Sequence, residues 1–493
     1  MSAQAWAARV PVRGLWAAVL LVAGVVLHRE GADFPWTYHN DEPSKVRQIL
    51  EGWRNYRHPP LMLDAVALAE AVVPGRQEPQ EVAEWGRAAS AGYGAAAVVL
   101  MADAAWMAAG PWAGLATGAV LLLHGPSYEM AHYFKEDSLF LLGLALMLHA
   151  LAGWRRHGGA GWALGWLAAG WVLVGAKWIG WIPWLLSLPS AWPGLRGLPR
   201  RRLALLAAVF AGVVLAAGIR YWTHWEVFAL TGREEWEALW QGDYAAGVEV
   251  PHGRYLELLG TFWPLEWLGL AAGCALFARW RGGLPGGAWC LWNVGAALAA
   301  LAWTAKFSER YAVPVAWLLA WLACVGPPLL AARLRLPRAG LVQAALALLG
   351  ALVLSAGQWP DFQARREGFA TDSRELLSAW LARQDTSDWR LARDQPALIQ
   401  LPPARVEEES FFAADLGTVD DLRRRGITHV AVSYEVFHRY VDGSADQSLR
   451  ADPLFARRAE FYQTLLRGGK VACAMPNRHP KTLHPGITLV DIR

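Results

Sequence analysis

The run Leu203–Gly218, LALLAAVFAGVVLAAG, follows the basic cluster Arg200–Arg202 and contains no charged residue. Leu341–Ala356, LVQAALALLGALVLSA, repeats the pattern after Arg333, Arg335 and Arg338. Uncharged stretches of this kind, punctuated by arginine, suit helices that cross hydrocarbon, where about 20 apolar residues span the bilayer. Composition agrees: 55% of the 493 residues are hydrophobic and 18% charged, too apolar for a soluble protein of that length. Many of the 30 tryptophans stand near run ends, among them Trp16, Trp112, Trp181, Trp280 and Trp359, where indole prefers the headgroup layer.

Further basic clusters fall at Arg9/Arg13, Arg155-Arg156, Arg196 and Arg279/Arg281. Placing spans between clusters predicts about eleven transmembrane helices with every cluster on one face. The spans are 14–28, 90–109, 112–127, 138–153, 160–175, 178–192, 203–220, 258–278, 285–304, 312–330 and 339–357. Because short cytoplasmic loops are enriched in Lys and Arg, the N-terminus is expected to be cytoplasmic and the C-terminal region extracytoplasmic. This is the pattern of an integral, multi-pass plasma (inner) membrane protein. Residues 29–89, 221–257 and 358–493 then face outward, joined by 128–137, the Lys177 region and 305–311. Gly14–His28 is short, but no small-x-small cleavage pattern follows it, so it is expected to stay as an anchor. The net charge of +4 says little about partners. Cys274, Cys290, Cys324 and Cys473 have no paired spacing, so neither a disulfide framework nor a metal knuckle is indicated.

Two domains are expected: a transmembrane domain, 1–357, whose first outer loop is 29–89, and an extracytoplasmic domain, 358–493. The latter becomes charged and Pro-containing, as a soluble fold is. Ser373–Arg383 and Thr418–Arg425 have the apolar spacing of amphipathic helices, and Pro453–Arg467 that of a third. Ile427–Ser433, Val471–Met475 and Ile487–Ile492 have the composition of strands. The alternation predicts a small α/β domain.

Four outward sites hold polar residues that lipid would not ask for. The first is Asp41-Glu42 with His39, followed by Lys45, Arg47 and His58-Pro59-Pro60-Leu61. Pro43 favours a helix start, which puts Asp41 where an ionised carboxylate or a bound anion is stabilised. The second is His132-Tyr133-Phe134-Lys135-Glu136-Asp137, the third the lone Lys177, and the fourth Lys306-Phe307-Ser308-Glu309-Arg310-Tyr311. Each has a simpler reading: Asp41 and Asp137 as helix caps, Lys177 as a snorkelling lysine, the fourth stretch as an interfacial anchor. Together they put carboxylates and fixed cations on one side of the membrane beside apolar walls. Carboxylates abstract protons and cations hold phosphate, a set suited to moving a group from a lipid-linked phosphate to an outside acceptor. Asp103, inside a span, is expected in polar packing between helices, Glu129 in a loop or behind Asp137, and Asp64 on a solvated face.

In order and placement, Tyr38-His39-Asn40-Asp41-Glu42-Pro43, the following His58-Pro59-Pro60-Leu61, Lys135-Glu136-Asp137, Lys177 and Arg310-Tyr311-Ala312-Val313-Pro314 resemble the GT-C membrane glycosyltransferases. The nearest likeness is to the phospholipid-carrier-dependent branch (glycosyltransferase family 39), which includes protein O-mannosyltransferases and the aminoarabinose transferase of lipid A. Gly426-Ile427-Thr428-His429-Val430 and His484-Pro485-Gly486 are similar to that family's extracytoplasmic tail, so the likeness covers the whole chain. Asn40 stands where many relatives carry Pro. The resemblance implies that Asp41, with Glu42 beside it, is the base or a metal ligand and that Asp137 is a second catalytic carboxylate. It implies that Arg310 and Tyr311, with Lys177 and Lys306, hold the donor's phosphate. His39, His58, His132, Lys135 and Glu136 are expected to support the site.

The function expected is inverting transfer of a hexosyl or pentosyl group from a polyprenyl-phosphate carrier to a protein, lipid or glycan acceptor. Fixed cations make a divalent cation optional, although Asp41 and Asp137 have the chemistry to hold one. No nucleic acid partner is expected. The alternatives are a transporter or flippase of lipid-linked glycans and a related oligosaccharide ligase or polymerase. A transporter more often shows paired broken helices with inverted-repeat symmetry, which the sequence does not display.

Overall fold

Five described helices are long and apolar enough to cross a membrane: Val12–Arg29, Pro79–Ala109, Asp137–His157, Glu309–Ala331 and Gly340–Ala370. The shorter apolar helices Pro111–Leu122, Ala160–Ala176 and Trp289–Ala300 and the longer Arg200–Trp222 accompany them. The computed structural model describes residues 10–72, 78–241, 254–263, 287–303, 308–334, 339–396, 398–401, 406–445, 447–478 and 483–493. Pro79–Ala109 packs against Val10–Arg29, Pro111–Leu122 and Asp137–His157. Its buried face is built from small residues, including Ala91, Gly94, Ala95, Ala97, Ala102, Ala104 and Ala105. Small side chains let helix backbones approach closely where no hydrophobic drive distinguishes a neighbour from lipid. At Gly24 the approach is so close that a Cβ would lie 2.8 Å from the Ala95 Cβ.

Several expected boundaries shift. The span expected at 178–192 is not one helix but a 3-10 turn, Trp178–Gly180, and two short helices, Trp181–Leu185 and Leu188–Arg196. Pro183 and Pro189 remove backbone donors that a continuous helix needs, whereas Pro193 is accommodated inside the second short helix. The span expected at 112–127 stops at Leu122 and resumes as Gly125–Ala131, with Pro126 in its first turn. The span expected from residue 90 starts at Pro79, so the first loop is shorter than 29–89 and carries two helices, Glu42–Leu50 and Leu61–Val72. Residues 221–257 include the helix Trp225–Gln241. Of the span expected at 258–278, Arg254–Phe262 is helical and residues 264–278 lie outside the described residues. The last long helix, Ala339–Ala370, continues through residue 357 with Pro360 inside it.

The C-terminal region folds around a five-stranded mixed sheet: β1 Leu391–Asp394, β2 Val406–Ser410, β3 His429–Ser433, β4 Lys470–Met475 and β5 Ile487–Asp491. The strand order is β2-β1-β3-β5-β4, with β1 parallel to both neighbours and β5 antiparallel to β3 and β4. Helices Ser373–Leu381, Val419–Arg424 and Phe455–Gly468 fall where apolar spacing placed them. Thr418 and Asp421 form a reciprocal capping box at the second of these, satisfying N-terminal amides that the helix cannot bond itself. Strands β1 and β2 were not legible in the sequence. β2 reads Val-Glu-Glu-Glu-Ser, and its glutamates are tolerated at the sheet edge by pairing with Arg390, Arg393 and Arg425.

The two regions meet through an aromatic cluster. Phe369, at the end of the last long helix, stacks on His132 at 4.0 Å between ring centres and packs among Phe34, Tyr128 and Tyr133. Arg366 adds a two-point pair with Glu30 at 2.8 and 2.9 Å.

Candidate active site

Asp41 occupies the N-cap position of the Glu42–Leu50 helix, yet its side chain makes no capping hydrogen bond. The Oδ2 atom lies 2.6 Å from Lys135 Nζ and 3.8 Å from Arg310 Nη1, with the side chain 45% exposed. The Lys135 ammonium holds this carboxyl well below the usual carboxylate range, against the opposing effect of burial. Asp41 is therefore ionised, accessible and flanked by cations. Its backbone N–H donates to His39 Nδ1 at 3.2 Å. Burial, with Lys135 nearby, keeps the His39 imidazole well below its ordinary pKa, so it is neutral and accepts that bond.

The stretch Phe134-Lys135-Glu136-Asp137 meets four partners in succession. The Phe134 N–H donates to Glu42 Oε1 at 2.8 Å, Lys135 pairs with Asp41, Glu136 with Lys45, and Asp137 with Lys177. This works because the backbone from Tyr133 to Glu136 is a turn before the Asp137–His157 helix, so successive side chains fan out instead of following one helical stripe. Lys177 closes the Ala160–Ala176 helix in an extended conformation, φ −144° and ψ 143°. That break brings its ammonium to Asp137 instead of the headgroups.

Asp41, Asp137 and Arg310 converge. Lys177 Nζ and the Arg310 guanidinium lie 5.8 and 5.3 Å from the Tyr311 ring centre, and Lys177 is bonded to Asp137. Among the described residues, four cations (Lys45, Lys135, Lys177, Arg310) face three carboxylates (Asp41, Glu136, Asp137), leaving one positive charge in excess. The Nε of Arg310 and the Oδ2 of Asp137 are buried with no hydrogen-bond partner among the described residues. His58 borders the group. Burial lowers its pKa to about 4, with Glu136, Lys45, Lys177 and Asp41 also acting on it.

Glu42 and His132 lie elsewhere. Glu42 is fully buried in a two-point pair with Arg87, Oε1–Nε 3.1 Å and Oε2–Nη2 2.5 Å. Both ring nitrogens of His132 face carbonyl oxygens, Tyr128 at 2.7 Å and Glu30 at 2.9 Å. Lys306 lies outside the described residues. Asp103 bonds Arg13 and His149, toward the opposite ends of their helices from Asp41. Glu129 pairs with Arg365, which also holds Glu309 at 2.8 Å and Asp361 at 2.9 Å. Arg87 and Arg365 left no distinguishing signal in the sequence: Arg87 stands alone beside an apolar run and Arg365 belongs to the pair Arg365-Arg366, and both look like interfacial punctuation. Lys45 left a faint signal, being one helical turn after Asp41.

Among the described residues, no three His, Cys, Asp or Glu side chains are grouped to hold a metal ion. Asp41 and Asp137 are each already paired with a lysine.

No protein-family model matches the chain, and no curated protein matches it. Among solved structures it is similar to ArnT from Cupriavidus metallidurans bound to undecaprenyl phosphate. The two align over 99% of this chain and 98% of that one, with a TM-score of 0.52 and 16% identity. The fold is GT-C. A similarity at a TM-score of 0.47 and 12% identity extends to the oligosaccharyltransferase of Archaeoglobus fulgidus, over 85% of this chain and 69% of that one. The GT-C fold accounts for a helical membrane region carrying a small sheet domain, the arrangement described above.

Proposed function

We propose that this chain is an inverting glycosyltransferase that moves a sugar from a polyprenyl-phosphate carrier to an acceptor hydroxyl on the extracytoplasmic face of the membrane. The observation that carries the reading is Asp41: a half-exposed, ionised carboxylate between Lys135 and Arg310, in a cluster with one cation more than it has carboxylates. ArnT, which shares the fold along its whole length, was solved with undecaprenyl phosphate bound, which supports a donor of that class.

In the reaction, the acceptor oxygen attacks the anomeric carbon from the face opposite the phosphate. The new C–O bond forms as the bond from the anomeric carbon to the phosphate oxygen breaks, inverting the centre. Asp41 takes the hydroxyl proton, a contribution of roughly 10²–10⁴-fold in comparable enzymes. The bond's electron pair leaves with the polyprenyl phosphate, whose charge Arg310 receives, with Tyr311 and Lys177 beside it. A charge pair at about 4 Å is worth about 1 kcal/mol in water and about 4 kcal/mol at a surface-like dielectric, and arginine's planar fork meets two phosphate oxygens at once.

The same geometry makes Asp41 responsive to donor. Before donor binds, Lys135 and Arg310 hold the Asp41 carboxylate, with Asp137 also facing them, and Asp41 is a weak base. A bound phosphate competes for both cations and restores basicity where it is needed. Glu136 and Lys45 keep Lys135 and Asp41 in register, and His39 and His58 complete the polar wall. Glu42, sealed against Arg87, positions the Asp41 turn. No step runs through a metal ion.

The test is incubation of the purified protein with a panel of polyprenyl-phosphate sugars, following released polyprenyl phosphate. Asp41→Asn should abolish release while the protein remains folded in membranes. Near-wild-type turnover by that variant refutes the assignment of Asp41.

A further inference from the structure

We infer that Arg374, a residue of the C-terminal domain, is a positioning residue for Asp41, so that the tail completes the active site; the inference rests on the function proposed above. The Arg374 guanidinium lies 3.6 Å from the centre of the Tyr38 ring, and its Nη1 donates to the Tyr38 carbonyl at 3.2 Å. Tyr38 stands three residues before Asp41.

Arg374 is itself held on every side. Its Nε and Nη2 donate to the two carboxylate oxygens of Asp372 at 2.9 and 2.8 Å, and its backbone N–H donates to Asp372 Oδ1 at 2.7 Å, capping the Ser373–Leu381 helix. Ser373 next to it ties to the far end of the domain: its N–H donates to the Leu483 carbonyl at 3.3 Å and its hydroxyl to the Pro485 carbonyl at 3.1 Å. The clamp on Tyr38 is thus anchored by both ends of the domain's sequence.

The opposite side of the contact is as firm. Tyr38 is buried in the cluster with Phe34, Tyr128, Tyr133 and Phe369, and its N–H donates to the Pro35 carbonyl at 3.0 Å. A cation over the ring face and a bond to the carbonyl fix both the height and the rotation of residue 38. Three residues extend at most about 10 Å, so a shift at Tyr38 passes to Asp41. A buried guanidinium is an expensive way to fill space, because an apolar side chain of similar volume is often as stabilising or more so. Its presence against the residue that leads into Asp41 is explained by registry.

The experiment compares the full-length protein with Tyr38→Leu, Tyr38→Phe and Arg374→Lys in lipid nanodiscs. Tyr38→Leu removes the ring; Tyr38→Phe keeps it and serves as the rescue. Tyr38→Leu should lower kcat on the polyprenyl-phosphate sugar by about 10-fold or more, within the roughly 100-fold that a misplacement of about 1 Å can cost. KM should change less than about twofold, because Arg310 and Lys177 are untouched. Tyr38→Phe should stay near wild type, and Arg374→Lys should fall between them. Hydrogen exchange across residues 38–45 should quicken in Tyr38→Leu while that across Asp137–His157 stays unchanged. Unaltered kcat per donor-binding site, or unaltered exchange at 38–45, overturns the inference. If the wild-type chain transfers sugar from none of the donors, the proposed function has failed, and the exchange measurement alone still decides whether Arg374 and Tyr38 hold this turn.

Discussion

Replacing Glu42 by Gln tests whether adjacent carboxylates have separate jobs. Glu42 and Arg87 are both fully buried, and arginine cannot discharge itself by losing a proton. In the variant, Arg87 keeps the Ala32 and Phe34 carbonyls at 3.0 and 2.5 Å, and the glutamine oxygen can still accept from the Phe134 N–H. What is lost is the countercharge. Removing one partner of a buried ion pair costs about 3–5 kcal/mol, and the retained carbonyl bonds argue for the lower end. About 3 kcal/mol is a loss of roughly a hundredfold in the folded-to-unfolded ratio, within a total stability of about 5–15 kcal/mol for most proteins. Glu42→Gln should lower the thermal midpoint in detergent by several degrees and reduce the yield of monodisperse protein. The double variant Glu42→Gln/Arg87→Met removes the stranded charge and should regain most of the midpoint together with measurable transferase activity. A single variant that melts like wild type refutes the packing argument. A double variant that is stable yet without turnover shows that the Glu42–Arg87 pair does more than stabilise the fold.

Arg310→Ala should raise KM for the lipid-phosphate donor more than for the acceptor in steady-state assays, and the reverse pattern counts against phosphate contact. In the tail, burial pushes the Asp394 carboxyl well above its ordinary pKa, opposed by the Ser433 amide and the Tyr462 hydroxyl. A carboxyl raised on folding stabilises below its unfolded pKa near 3.9 and loses that contribution as pH rises through the folded value. Asp394→Asn should therefore raise the tail's melting temperature at neutral and alkaline pH and not near pH 3; equal effects at both would contradict this. At Gly125 a Cβ would meet Asp361 Oδ2 at 2.0 Å. Gly125→Ala should then displace Asp361 from Arg365 and cost about 1–3 kcal/mol, read as a lower thermal midpoint, and an unchanged midpoint would mean that the carboxylate moves freely.

Much of the architecture was open to local reading. Apolar runs longer than a soluble core requires marked the membrane helices, and apolar spacing in the tail located helices such as Phe455–Gly468 and the buried strand His429–Ser433. These signals are local, because burial by lipid or by one sheet face imposes its period on consecutive residues. Boundaries escaped where Pro183 and Pro189 broke an apolar run, and β2 escaped because its glutamates are balanced by arginines from other elements.

The chain's own order of residues determined which chemical groups are present and on which elements: Asp41 at a helix start, Lys177 at a helix end, Arg310 opening another helix. It left Asp41 and Glu42 as an undivided pair. Only the tertiary structure separated them, because neighbouring residues at a helix start point about 100° apart. One carboxylate meets Lys135 and an accessible space; the other meets Arg87 in a sealed interior. Which cation faces which carboxylate depends on contacts between residues as far apart as Asp41 and Arg310, and no local periodicity encodes a pairing across that distance.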